Sequence, residues 1–157
     1  MFKSFFGPED IAGACGMFTL PHIISFIVCL AIIGVAIYLL SKISDTSLEK
    51  ISKILAIVFT VMEIIKVIYK FVHGYTEYLD YYLPISYCSL FLYALWFYGY
   101  GKGKLKKVGE AFIAGGCIVG GAAFLIVPAT SLMMHPIFHY LSFHSMLFHS
   151  AMVIMGF

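Results

Sequence analysis

The sequence LPISYCSL, residues 83–90, is the stretch from which the fold of this chain is best deduced. Pro84 stands near the start of an apolar run, and proline is tolerated in the first turn of a helix, where its missing N–H has no partner to lose. One turn further on, Cys88 lies among hydroxyl-bearing residues. The stretch therefore predicts the start of a helix that carries a thiol near its beginning.

The composition of the whole chain predicts a membrane protein. Hydrophobic residues make up 62% of the 157 residues and charged residues 11%, and the mean hydropathy is +0.98. A soluble domain is about half apolar and about a quarter charged, so this apolar surplus exceeds what one core can bury. The basic residues are all lysines, concentrated in two loops rather than on one face, so we expect no nucleic-acid partner.

Five apolar runs predict an all-α, polytopic transmembrane bundle that forms a single integral membrane domain over residues 1–157. A helix needs about 20 apolar residues to cross ~30 Å of hydrocarbon. The runs cover residues 20–40, 51–72, 83–98, 108–127 and 141–157. Because the fifth run stops where the chain stops, we expect a further C-terminal part beyond Phe157.

The lysines also predict how the chain is oriented in the cell membrane. Loops 41–53 and 99–107 contain lysines, whereas loops 74–82 and 128–140 contain none. Cytoplasmic loops are enriched in lysine and arginine, so the two lysine-rich loops are expected in the cytoplasm and the N-terminus outside.

Glu63 and Lys66 are unusual because they lie inside the second apolar run. Three residues apart on a helix they share a face and can form an ion pair. Ionisable groups at such depth either pair structurally or mark a functional interior, and the sequence leaves both readings open. His22, which follows Pro21 at the outer end of the first run, is a further candidate for the same interior.

The other unusual residues lie at a similar depth. At 1.5 Å per helical residue, Cys88 is ~7 Å, His144 ~5 Å and His149 ~12 Å below the outer surface. This common level predicts a polar pocket that opens outward. His144 and His149 point ~140° apart on a helix, so only one of them is expected to face the pocket. Their spacing is not that of a helical metal pair, and we expect neither a metal nor a cofactor.

Two further patterns have structural interpretations. Gly116 and Gly120 have the spacing that lets helices approach closely, most simply within one chain. His135 and His139 fall in a loop and are expected at the membrane interface.

The residues singled out above resemble those of the YwaF family of bacterial integral membrane proteins, over roughly residues 51–157. The resemblance is carried by Leu83-Pro84-x-x-x-Cys88, by Glu63 in the preceding run, and by a late histidine followed by a small residue, either His149 or His144. That family is related to a eukaryotic multi-pass acyltransferase that acts on ether lysophospholipids. A more distant resemblance is to membrane hydrolases of fatty-acid esters, which use threonine in place of the cysteine.

The resemblance implies an acyl-accepting thiol at Cys88 with a histidine partner, His149 being favoured over His144. Ser86 or Ser89 is expected to help bind the oxyanion, and the partners would be membrane lipids, with a lipid acyl donor and a lysolipid acceptor. The oligomeric state is left open. The alternative is a non-enzymatic, proton-linked carrier of small solutes that uses Glu63, Lys66 and the histidines, or a subunit of a membrane complex.

Overall fold

A computed structural model shows the chain as a bundle of α-helices. It describes residues 5–8, 13–75 and 83–157, and these residues contain no β-strand. The helices run in the order α1 (Leu20–Leu40), α2 (Asp45–Val72), α3 (Leu90–Tyr100), α4 (Lys104–Ile126) and α5 (Tyr140–Gly156). The prediction of an all-α fold is confirmed.

Two of the described helices, α1 and α4, are long and apolar enough to cross a membrane. Within α1 only His22 and Ile33 are buried in the protein, so most of its apolar surface faces outward. The 28 residues of α2 are interrupted by charged side chains. The 11 residues of α3 and the 17 of α5 extend only ~16 and ~25 Å. A bundle with five spans is therefore not confirmed.

The third helix begins at Leu90 rather than at Leu83, so the prediction of a helix opening at Pro84 is wrong. Residues 83–89 form a series of turns instead. The N–H of Leu90 donates to the carbonyls of Ser86 and Tyr87, and the N–H of Phe91 donates to that of Cys88 at 3.0 Å. These are mostly i→i−3 bonds, which are typical of a tightened approach to a helix rather than of α-helix itself.

Packing centres on α4, which lies between α3 and α5; α2 packs on α3 and α1 on α5. Glycines allow α4 to come this close. A Cβ on Gly109 would lie 2.7 Å from the carbonyl oxygen of Ala94 in α3, and one on Gly121 would lie 2.7 Å from that of His149 in α5. Close helix packing is therefore seen at Gly109 and Gly121, whereas the predicted pair, Gly116 and Gly120, lies against the side chain of Tyr87 from the turn before α3.

The contacts at the two ends of the bundle show which loops lie together. Lys106 Nζ is 2.5 Å from Glu49 Oε2, and Lys53 Nζ is 3.0 Å from Glu49 Oε1. Hydrogen bonds from these two lysines lower the pKa of Glu49. The N-terminal part of α2 thus meets the start of α4, and the two lysine-rich loops share one end of the bundle.

Candidate functional site

A half-open cavity of about 510 Å³ lies between α2, the turn at residues 83–89, the end of α4, the segment before α5, and α5 itself. Seven of the eight predicted site residues line it: Glu63, Lys66, Ser86, Cys88, Ser89, His144 and His149. These residues come from three separate parts of the sequence, and the fold brings them to one cavity.

The eighth predicted residue, His22, is not brought to the cavity. Its Nδ1 accepts a hydrogen bond from the Phe18 N–H at 2.9 Å. Since that nitrogen is an acceptor, the ring proton of the neutral form is on Nε2, which lies 3.3 Å from the Leu125 carbonyl oxygen. With both ring nitrogens bonded, His22 links α1 to the end of α4.

His149 is held in one orientation by two contacts. Its Nδ1 lies 2.7 Å from the Ser145 carbonyl oxygen, one turn earlier in α5. Its ring stacks on Phe124 of α4, with the centroids 3.6 Å apart and the planes 8° apart. A carbonyl can only accept a hydrogen bond, so Nδ1 is the donor and Nε2 of the neutral ring carries a lone pair. His149 therefore presents a basic nitrogen on a fixed ring.

His144 has a different neighbour. Its Nε2 lies 3.5 Å from Glu63 Oε2, longer than a good hydrogen bond but within ion-pair range when the imidazole is protonated. The other carboxylate oxygen of Glu63 pairs with Lys66, as predicted from their spacing. The three side chains form a row in which the carboxylate lies between a lysine and an imidazole, each of them largely buried.

The expectation that only one of these two histidines faces the pocket is wrong, because the cavity extends around α5. His144 lines it on the side of α2, where Glu63 lies, and His149 lines it on the side of α4, where Phe124 lies. An angle of ~140° on one helix therefore still leaves both rings on one cavity.

Cys88 is a free, partly buried thiol in the turn before α3. It packs against the core cluster that contains Phe91, Cys117 and Phe148. The hydroxyls of Ser86 and Ser89, on either side of it, lie 2.8 Å apart. In such a pair one hydroxyl donates to the other, and the acceptor keeps its own O–H for a further partner.

His135 and His139 were expected at the membrane interface, but they are buried, with 3% and 1% of their surfaces exposed. Their rings stack 4.1 Å apart, and His135 lines the cavity. His139 Nδ1 accepts from the Leu141 N–H and caps α5, so its Nε2 is the donor to the Gly7 carbonyl. Burial lowers the pKa of both imidazoles, that of His135 to about 4.

Sequence reasoning missed His135 as a residue of the cavity and missed the burial of both histidines. The available signal was the position of His139 directly before the predicted fifth helix, where a capping acceptor is needed. No sequence signal indicated that His135 would be on the cavity wall, together with Lys70, Phe124 and Thr130.

Comparisons with protein families, with curated proteins and with solved structures find no match to this chain. The resemblance to the YwaF family therefore stays a prediction that rests on the few residues quoted above.

Proposed function

We propose that this chain is a multi-pass integral membrane protein that transfers or hydrolyses lipid acyl groups through Cys88 and His149. The observation that carries the proposal is the single cavity onto which Cys88, His149, and the Glu63–His144 pair all open. A thiol and a base on one cavity wall are the two parts that nucleophilic acyl chemistry requires.

The first half of the proposed reaction forms a thioester. The Cys88 S–H proton goes to Nε2 of His149, the nitrogen that its bond to Ser145 leaves unprotonated. The sulfur electron pair then attacks the ester carbonyl carbon of the lipid, and a C–S bond forms. As the tetrahedral intermediate collapses, the ester C–O bond breaks and the leaving alkoxide takes the proton from His149.

The second half returns the thiol. A lysolipid hydroxyl, or water in the hydrolytic variant, gives its proton to His149 Nε2 and attacks the thioester carbonyl. The C–S bond breaks, and Cys88 takes the proton back as it leaves. The hydroxyl pair of Ser86 and Ser89, which retains one free O–H, would stabilise the oxyanion in both halves.

His149 is the better candidate for the base, because Nε2 of His144 is directed at the Glu63 carboxylate. That arrangement suits His144 as a charge partner: a carboxylate that contacts both Lys66 and an imidazole keeps the cavity wall close to neutral. Glu63, Lys66 and His144 would therefore support the site rather than react.

The arrangement in the membrane is part of the same proposal. Five segments would cross the bilayer, with the N-terminus outside and loops 41–53 and 99–107 in the cytoplasm. The contact between Glu49 and Lys106 supports the shared side of these two loops. The irregular backbone of residues 83–89 is compatible with membrane depth because it lines a cavity.

The test is capture of the thioester. Membranes containing the full chain would be incubated with an alkyne-tagged lipid ester, and acylated peptides would be identified by mass spectrometry. We expect hydroxylamine-sensitive acylation at Cys88, its loss in Cys88→Ala, and a reduction of about 10²-fold or more in His149→Gln. Cys29→Ala, on α1 and away from the cavity, is the matched control and should acylate normally. Acylation that persists in Cys88→Ala would refute the proposal.

A second candidate function is proton-linked transport of a small solute. It is favoured by one observation: Glu63 contacts both Lys66 and His144, all three on the cavity wall. A buried titratable group of this kind is typical of proton-coupled sites. A pH-dependent flux in vesicles that Glu63→Gln abolishes and Cys88→Ala leaves intact would favour it over acyl chemistry.

A further inference from the structure

Tyr87, the residue directly before Cys88, is seated in a notch on α4 that glycines form. Its hydroxyl donates to the Gly116 carbonyl oxygen at 3.0 Å. A Cβ on Gly116 would lie 2.9 Å from the Tyr87 hydroxyl oxygen, and a Cβ on Gly120 would lie 2.9 Å from the ring carbon Cε1. The two glycines with helix-packing spacing thus accommodate an aromatic ring from a turn, and a methyl group at either position would displace it.

This contact ties the turn to α4 by a hydrogen bond, in addition to the packing of Cys88 against the core. Among the described hydrogen bonds of residues 83–89, the one from Tyr87 reaches another element, whereas the others stay within the turn or run to the first residues of α3. Tyr87 itself is 52% exposed, so its ring contributes little to the core. The consequence of its contact with α4 is therefore local, at the position of the next residue, Cys88.

The same helix also determines where His149 lies. Phe124 of α4 stacks on the His149 ring, and Gly121 is close enough to His149 that an added Cβ would lie 2.7 Å from its carbonyl oxygen. One face of α4 therefore contacts Tyr87 at Gly116 and Gly120 and contacts His149 one turn later. The two groups that the proposed chemistry needs, the thiol of Cys88 and the imidazole of His149, therefore both lie beside residues that contact α4.

We propose that Tyr87 is a positioning residue, which holds the Cys88 thiol on the cavity that His149 also lines by occupying the notch of Gly116 and Gly120. The inference deepens the proposed function, since it concerns the same thiol. The position of the thiol can nevertheless be measured without any lipid substrate.

The experiment measures the reactivity of Cys88 toward iodoacetamide in the purified full chain, as a function of pH, with Cys29 as the reference on the same molecule. Gly116→Ala fills the notch and displaces the ring, Tyr87→Ala removes the ring, and Tyr87→Phe keeps the ring and loses the hydroxyl. Gly115→Ala is the matched control, because a Cβ there meets no atom within 4 Å while the gain in helix propensity is the same. A melting curve of each variant shows that it is folded.

We expect Gly116→Ala and Tyr87→Ala to lower the alkylation rate of Cys88 at neutral pH about tenfold and to move its pH profile upward by about one unit, because in the proposed function His149 is the base that takes the thiol proton. Tyr87→Phe should restore most of the rate, and Gly115→Ala should match the wild type. If Gly116→Ala does not fold, Tyr87→Ala decides alone, since that side chain is half exposed.

Profiles of the Gly116→Ala and Tyr87→Ala variants that coincide with that of Gly115→Ala would overturn the inference. The outcome is separable from that of the proposed function. A thiol that responds to the notch variants but never forms a thioester would leave the positioning role standing and refute the acyl chemistry.

Discussion

Replacing His135 by phenylalanine should remove a pH dependence from the stability of the folded chain. His135 is 3% exposed, its Nδ1 has no hydrogen-bond partner among the described residues, and its ring stacks on His139 at 4.1 Å. Burial, together with the nearby His139 and Lys70, lowers its pKa from 6.5 to about 4. Phenylalanine keeps a ring of similar size in this stack and cannot be protonated.

The magnitude follows from the two pKa values. Between pH 6.5 and 4 the unfolded chain holds a proton on His135 more often than the folded chain does. Stability therefore rises with pH across that window, and the contribution present above pH 6.5 is lost as the pH falls toward 4. At pH 5 the loss is a factor of about 30 in the folding equilibrium, or roughly 2 kcal/mol.

The assay compares the free energy of unfolding of the wild type and His135→Phe in one nonionic detergent, at pH 7.5 and at pH 5, with Trp96 fluorescence as the signal. All other titrating groups are common to both proteins, so the difference of the two differences reports His135 together with its coupling to the stacked His139. We expect the wild type to lose about 2 kcal/mol more than the variant on acidification. If the wild type and the variant lose the same unfolding free energy between pH 7.5 and pH 5, to within about 0.5 kcal/mol, His135 is not held neutral by burial.

Three further predictions test the packing, the charge pairs and the orientation. Lys106→Met should lower the melting temperature at neutral pH, because it removes the ion pair with Glu49. This decrease in melting temperature should shrink as the pH falls below about 4.5, because Lys106 lowers the pKa of Glu49 and the pair needs an ionised carboxylate. Thermal unfolding of both proteins at a series of pH values measures the decrease. Phe59→Ala, at a position that is 1% exposed, should cost roughly 3 kcal/mol of unfolding free energy in denaturant titrations, and a cost below about 1 kcal/mol would contradict its place in the core. In intact cells a membrane-impermeant maleimide should label Phe138→Cys but not Lys102→Cys until the membrane is permeabilised. Labelling of Lys102→Cys but not of Phe138→Cys from outside would show the reverse orientation.

How much of the fold could be predicted depended on whether local signals agreed with tertiary contacts. The first helix was predicted within residues 20–40 and the fifth within 141–157, and the structure has them at Leu20–Leu40 and Tyr140–Gly156. In both, an apolar run and the helix coincide. The third helix was misplaced by seven residues because Pro84 is also compatible with a turn, and the seating of Tyr87 on α4 favours the turn.

In the site, too, some features follow from the local sequence and others from tertiary contacts. The rise per residue applies to His144 and His149, which lie on the predicted fifth helix, but not to Cys88, which lies in the turn before α3. The neighbour that each side of α5 faces could not be predicted, because the positions of α2 and α4 around α5 depend on tertiary packing. The stacked pair His135 and His139 lies outside every helix, where neither depth nor rotation is defined by sequence.

The choice between the two histidines illustrates what finally distinguishes a base from a charge partner. Each is followed by serine and each lines the cavity, so sequence context alone treats them alike. The two histidines differ in the neighbouring group that each imidazole contacts. A backbone carbonyl at Nδ1 of His149 can only accept, which leaves the far nitrogen basic, whereas a carboxylate at Nε2 of His144 favours a proton on the nitrogen that faces it. The roles therefore follow from neighbours that are not themselves reactive, and exchanging those neighbours should exchange the roles.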